Sequence, residues 1–150
     1  MTTDFIYYDM DGVLADFERG VEQHYGQPFS EVNKDRFWNE VVASDDIFLN
    51  LPPIENGVRG IRFDIEQGSK VAILTSTGGG KHHFEIARQK LLWLKRQDIK
   101  VPVCFCLGTQ SKASFAHDRA VLIDDRDKVC KAWRQAGGYA IHFNPMMELC

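Results

Sequence analysis

The stretch Phe5-Ile6-Tyr7-Tyr8-Asp9-Met10-Asp11-Gly12 decides the fold. Four apolar or aromatic residues, too few for a helix, stop at a turn made of two aspartates and a glycine. That reads as a buried strand running into a polar turn. The same pattern recurs twice: Val71-Ala72-Ile73-Leu74 runs into Thr75-Ser76, and Ala120-Val121-Leu122-Ile123 runs into Asp124-Asp125-Arg126. Val101–Leu107 and Tyr139–Phe143 read as two further strands. Between them, Phe84, Ala87, Leu91 and Leu94 recur at spacings of three and four, predicting an amphipathic helix over Phe84–Gln97. Asp127–Ala136 reads as a helix closed by Gly137-Gly138. Alternating short strands and helices predict an α/β fold: a Rossmannoid parallel sheet buried on both faces and flanked by helices.

Residues 17 to 67 break this alternation. Phe17, Val21, His24 and Tyr25 have helical spacing, as do Phe37, Trp38, Val41 and Val42, and then Val58, Ile61 and Ile65. No strand pattern intervenes. The reading is one domain with its core at 1–16 and 68–150, and a small helical cap at about 17–67 inserted after the first strand.

The chain has 150 residues, and its formal net charge is −3. This is enough chain for one core without disulfides. The slight acidity argues against broad duplex nucleic-acid binding, which needs a basic face. The longest apolar runs are far too short to span a bilayer, and Met1–Ile6 lacks the pattern of a secretory signal. Cys104, Cys106, Cys130 and Cys150 lack zinc spacing. They are expected to be reduced thiols in a cytosolic protein.

In an open α/β sheet, ligands bind beyond the carboxyl ends of the strands. Asp9 and Asp11, Thr75 and Ser76, and Asp124 and Asp125 all fall there. One Asp-x-Asp is an ordinary turn. Two acidic strand ends and a hydroxyl strand end in one chain point to chemistry instead. Converging carboxylates repel one another and need a cation. An all-oxygen donor set suits Mg²⁺, which bridges carboxylates and substrate phosphates.

These motifs resemble those of the haloacid dehalogenase (HAD) superfamily of phosphohydrolases, in that family's order. They are Asp9-Met10-Asp11-Gly12-Val13-Leu14-Ala15-Asp16-Phe17, Thr75 in Ala-Ile-Leu-Thr-Ser-Thr, Lys112 in Thr-Gln-Ser-Lys-Ala, and Asp124-Asp125 in Leu-Ile-Asp-Asp-Arg. Within the superfamily the chain is most similar to the 5′(3′)-deoxyribonucleotidases, which also carry a Phe-Trp pair like Phe37-Trp38 and a stretch like Phe48–Pro53.

The resemblance implies a Mg²⁺-dependent phosphomonoesterase acting through an aspartyl-phosphate. Asp9 would be the nucleophile and Asp11 the general acid and base. Thr75, Ser76 and Lys112 would bind phosphate. Asp9, Asp11 and Asp125 would hold Mg²⁺, with Asp124 supporting or substituting. Phe17, Phe37 and Trp38 would line a base pocket, although aromatics in a cap also serve as core. The implied substrate is a (deoxy)nucleoside monophosphate. Alternatives are another phosphoester, such as a sugar phosphate or a nucleic-acid terminal phosphate, or a non-catalytic phosphate-binding module. Small phage-encoded relatives imply a host-cytoplasmic location if this chain is phage-encoded, and relatives that dimerise allow a homodimer.

One departure stands out. The deoxyribonucleotidases follow Thr-Ser with Pro, whereas this chain has Thr77-Gly78-Gly79-Gly80-Lys81-His82-His83. The loop fails the P-loop pattern. Adjacent His82 and His83 do not share a helix face, which favours a solvated loop or a phosphate contact over a metal site. His24, His117 and His142 are isolated. Lys90, Lys95, Arg96 and Lys100 read as ordinary cations near a helix C-terminus.

Overall fold

Short apolar runs become strands here because both of their faces find cover. In the computed structural model, residues 3–42 and 45–150 are described. Met1 and Thr2 of the chain start, and Ala43 and Ser44 of the expected insertion, lie outside them. Strands β1 (Phe5–Tyr8), β2 (Val71–Ser76), β3 (Val103–Cys106), β4 (Ala120–Asp124) and β5 (Tyr139–His142) form one sheet in the order β3-β2-β1-β4-β5, every neighbouring pair parallel. Side chains alternate across it, as the strand period requires. Tyr8, Ile73 and Ile123 enter one core, and Tyr7, Leu74 and Leu122 the other. The central strands are covered on both sides. The edge strands are less so: Phe105, Tyr139 and Ile141 are exposed.

Tyr8 lies opposite both Ile73 and Ile123, so the register sets Asp9 level with Leu74 and Asp124. Strand order reverses between β1 and β4, leaving a crevice beyond their carboxyl ends.

After β1 the chain makes an excursion. It leaves at Leu14–Asp16 and returns beside itself at Pro52–Ile54. Asp16 N–H donates to the Pro52 carbonyl and Ile54 N–H to that of Leu14, each at 2.8 Å. Within the excursion, α1 (Phe17–Tyr25) starts at Asp16, whose side chain accepts from Arg19 N–H, and ends at Gly26. A short helix, α2 (Lys34–Arg36), runs into a π-helical turn at Phe37–Val41. Helix α3 (Glu55–Glu66) then leads to β2 and packs on the sheet, where Asp64 accepts the Tyr8 hydroxyl at 2.6 Å.

Helix α4 (His83–Arg96) departs from the sequence reading. The apolar stripe that predicts it points largely outward: Phe84 is 79% exposed and Leu91 47%, while Leu94 is buried. The inward face is Ile86, Gln89, Lys90, Trp93 and Leu94. Polar Gln89 is buried because it has partners on the excursion, accepting from Phe48 N–H at 2.9 Å and donating to the Val42 carbonyl at 3.0 Å. Trp93 Nε1 donates to the Leu51 carbonyl at 2.8 Å. Helix α5 (Asp127–Gln135) covers the other face through Val129 and Trp133. No helix among the described residues is long and apolar enough to cross a membrane.

Gly57 brings α3 against the turn after β1, because a Cβ there would sit 1.7 Å from the Val13 carbonyl oxygen. Gly57→Ala is expected to destabilise the protein by about 2–3 kcal/mol through overpacking, read as a lower urea midpoint with an unchanged slope.

Candidate active site

Four elements deliver charged or hydroxyl groups to one rim. β1 ends in Asp9 and leads to Asp11, and β4 ends in Asp124 and leads to Asp125. β2 contributes Thr75. The 3-10 segment Thr109–Phe115 delivers Lys112. Gly12 allows these parts to meet: its φ is 84°, and a Cβ there would lie 2.2 Å from Asp125 Oδ2.

Lys112 is 2% exposed and sits between two carboxylates, with Nζ 2.7 Å from Asp9 Oδ1 and 2.8 Å from Asp124 Oδ2. Burial works against its charge, but Asp9 and then Asp124 outweigh that, and its pKa is raised. The other Asp124 oxygen accepts Arg126 N–H at 2.9 Å. Burial and the Asp9 charge push the Asp124 carboxyl upward, with Lys112 opposing them.

A second lysine, Lys90, reaches the site from α4. Its Nζ lies 2.9 Å from Asp11 Oδ2, 2.7 Å from Thr75 Oγ1 and 2.7 Å from the Ser76 carbonyl oxygen, and the residue is 1% exposed. The sequence reading of Lys90 as a surface cation at a helix end is therefore corrected. No Coulombic partner is visible in sequence, because Asp11 lies 79 residues away. Its neighbour Gln89 is buried too, so the helix carries a polar inward face that apolar periodicity cannot report.

With all four carboxyls ionised, two lysines leave a formal charge of −2, which one divalent cation would cancel. Asp9, Asp124 and Asp125 each offer an oxygen within 4.8 Å of the others. Asp125 Oδ1 is buried without a hydrogen-bond partner among the described residues. An all-oxygen set with an orphaned carboxylate oxygen fits Mg²⁺. The Asp11 carboxylate is held by Lys90, which leaves the backbone carbonyl as the group that Asp11 would offer to the metal.

The predicted pocket residues Phe17, Phe37 and Trp38 form one aromatic cluster but differ in what they expose. Phe17 lines a cleft of about 430 Å³ beside Asp11 and Asp125. Trp38, 39% exposed, lines another of about 250 Å³ with Asp11, Ser76 and Phe48. Phe37 is in the excursion's aromatic core, 1% exposed and edge-on to Phe17, Phe29 and Trp38. Phe48 and Arg126 went unassigned in the sequence reading. Phe48 lies under Lys90 Nζ at 5.3 Å, and Arg126 lines both clefts. Both stand inside the quoted motifs, which was the available signal.

No protein-family model and no curated protein matches the sequence. Solved structures do share the fold. A HAD-superfamily hydrolase from Ehrlichia chaffeensis aligns over 99% of this chain and 91% of its own, with a TM-score of 0.57 and 10% identity. The D,D-heptose 1,7-bisphosphate phosphatase from Burkholderia thailandensis aligns over 91% and 75%, with a TM-score of 0.56 and 12% identity. A HAD family hydrolase from Deinococcus radiodurans R1, solved with bound phosphate and sodium, aligns over 92% and 79%, with a TM-score of 0.55 and 14% identity.

Burial, with Asp9 and Asp124 beside it, pushes the Asp125 carboxyl up to about 7. Between its ordinary value and 7, the folded protein binds a proton that the unfolded chain has released. This contribution to stability is therefore full at low pH and is lost as pH rises toward 7. In chelator, the melting temperature of Asp125→Asn relative to the parent should rise across that window and level off above it. Mg²⁺ should stabilise the parent more at pH 8 than at pH 5, since metal and proton compete. The crevice at the sheet's switch point is thus a buried carboxylate–lysine cluster in the fold of the HAD-superfamily hydrolases.

Proposed function

We propose that the protein is a Mg²⁺-dependent phosphomonoesterase that works through an aspartyl-phosphate, with a (deoxy)nucleoside monophosphate as substrate. The observation carrying this is the convergence of Asp9, Asp11 and Thr75 on two buried lysines at the sheet's switch point. The Asp9 carboxylate, held by Lys112, attacks phosphorus. The ester P–O bond breaks, and Asp11, in its protonated form, gives the leaving oxygen a proton. Asp11 then takes a proton from water. That water attacks phosphorus, the bond to Asp9 breaks, and inorganic phosphate leaves. Lys90 and Lys112 offset the negative charge throughout, and Thr75 and Ser76 orient phosphoryl oxygens. Asp9, Asp124 and Asp125 would hold Mg²⁺, which when bound supplies charge neutralisation at the phosphoryl group.

Of the insertion read at about 17–67, residues 17–51, between the two crossings at Leu14–Asp16 and Pro52–Ile54, act as the cap, while α3 packs on the sheet. Phe17 and Trp38 supply apolar and stacking surface for a base, with buried Phe48 beneath Lys90 at the cleft wall. Phe37 supports them from behind. The likeness to a heptose bisphosphate phosphatase favours a second reading, the same chemistry on a sugar phosphate.

Phosphate release from deoxynucleoside, ribonucleoside and sugar monophosphates, with and without Mg²⁺, tests this. Release should require metal and favour deoxynucleotides, and Asp9→Asn should lose it by at least about 1,000-fold. Release from sugar phosphates alone would keep the mechanism and overturn the substrate. No release by folded protein with metal would favour a non-catalytic phosphate-binding module.

Lys90→Gln should lower kcat by about 100-fold or more. A loss confined to KM would remove Lys90 from the charge-stabilising role.

A further inference from the structure

The sheet has two open edges, and they are finished differently. At β5, Phe143 N–H donates to the Asp124 carbonyl, so the backbone groups of Tyr139 and Ile141 also turn toward β4 and those of Ala140 face outward. The Ala140 carbonyl is taken by Arg134 Nη2 of α5 at 2.8 Å. At β3, Ile73 N–H donates to the Pro102 carbonyl and Thr77 N–H to that of Cys106. Pro102, Cys104 and Cys106 therefore face β2, and the N–H and C=O groups of Val103 and Phe105 face the open side. Among the described residues, no side chain bonds to them. Edge strands are ordinarily guarded by charge, proline or a bulge. Val101–Leu107 carries no charge, and Pro102 lacks its N–H on the β2 side, where it guards nothing.

The side chains beside this edge are apolar. Val103 packs into the same core as Leu94 of α4, and strand alternation puts Phe105, 36% exposed, on that face as well. Leu91 and Val103 line one groove of about 370 Å³. Phe84 lies two turns before Leu91 on the same stripe of the helix. The outward stripe of α4 thus runs alongside the unguarded strand.

We propose that β3 is the interface of a homodimer, pairing antiparallel with β3 of a second copy about a two-fold axis at Cys104. The edge is its own complement there. Val103 of each copy meets Phe105 of the other. Each such pair exchanges two N–H···O=C bonds and sets an aromatic ring against a β-branched side chain. The axis is normal to the sheet, so the two α4 helices lie on one face and run antiparallel. The acidic first turn of one, with Glu85, is directed toward the basic last turn of the other, with Lys95 and Arg96. A partner strand running parallel would set like helix ends together. This charge match and the two-fold bonding pattern identify the occupant of the edge as a second copy of the chain.

Sedimentation velocity over about a hundredfold range of protein concentration tests this. The parent should approach the mass of a dimer as concentration rises. Phe105→Lys and Leu91→Lys should each raise the dimer Kd by at least about tenfold. Leu91 is half exposed on a helix, so its variant keeps the test where Phe105→Lys fails to fold. Hydrogen exchange read by NMR locates the contact: the Val103 and Phe105 amides should be protected in the parent dimer and exchange faster in Leu91→Lys. A parent that stays monomeric throughout overturns the interface and leaves the edge to another partner. A dimer that both substitutions leave intact, or one in which the two amides exchange as fast as in the monomer, overturns it by placing the contact elsewhere.

Discussion

The site and the sheet depend together on Lys112. Parallel pairing puts the ends of β1 and β4 side by side, so Asp9 and Asp124 are forced together at the centre of the sheet. Two carboxylates with almost no water around them would repel strongly. Lys112 lies between them, donating to both, and is itself nearly inaccessible. Such a triad is costly to desolvate, and losing one partner strands the others, typically at about 3–5 kcal/mol. The segment Thr109–Phe115 is thereby tied to the strand ends. The same ammonium that lets the chain fold lies beside the carboxylate proposed to do the chemistry.

The second lysine follows the same logic from the other side. Lys90 belongs to α4, yet it gathers Asp11, Thr75 and the Ser76 backbone into one cluster. Its helix is also the one that Gln89 and Trp93 bind to the excursion. Charge placement and the position of the inserted segment are therefore set by one face of one helix. Asp125 is left as the carboxyl without a lysine, and burial, with the Asp9 and Asp124 charges beside it, raises its pKa.

Much of this was legible in the sequence because the central strands are continuous apolar runs ending at polar turns, and strand ends define where an α/β sheet works. Asp9, Asp11, Thr75, Asp124 and Asp125 could be named on that basis, and Lys112 only by its resemblance to a family motif; the structure gathers them at one rim. Lys90 and Gln89 could not. Apolar periodicity reports where hydrophobic residues repeat, and in α4 the repeat Phe84-Ala87-Leu91 largely faces outward. The buried face is half polar because each polar group has a partner far away in sequence. Phe37 and Trp38 show the same limit at finer scale. They are neighbours in sequence, but one is core and the other lines a cleft, and spacing does not tell which.

The crossing of Leu14–Asp16 with Pro52–Ile54 has a consequence for how this architecture can vary. Ala15 and Pro53 pair directly, so the segment between them starts and ends at one point in space. Loop closure depends only weakly on the length of the closed segment. The sheet therefore tolerates changes of length there, provided the two crossings keep their hydrogen bonds and Val42, Phe48 and Leu51 keep theirs to Gln89 and Trp93. The strand ends and lysines act as a fixed chassis, and the stretch from α1 to the π-helical turn is the part that can grow or shrink, while its last turn stays fastened to α4.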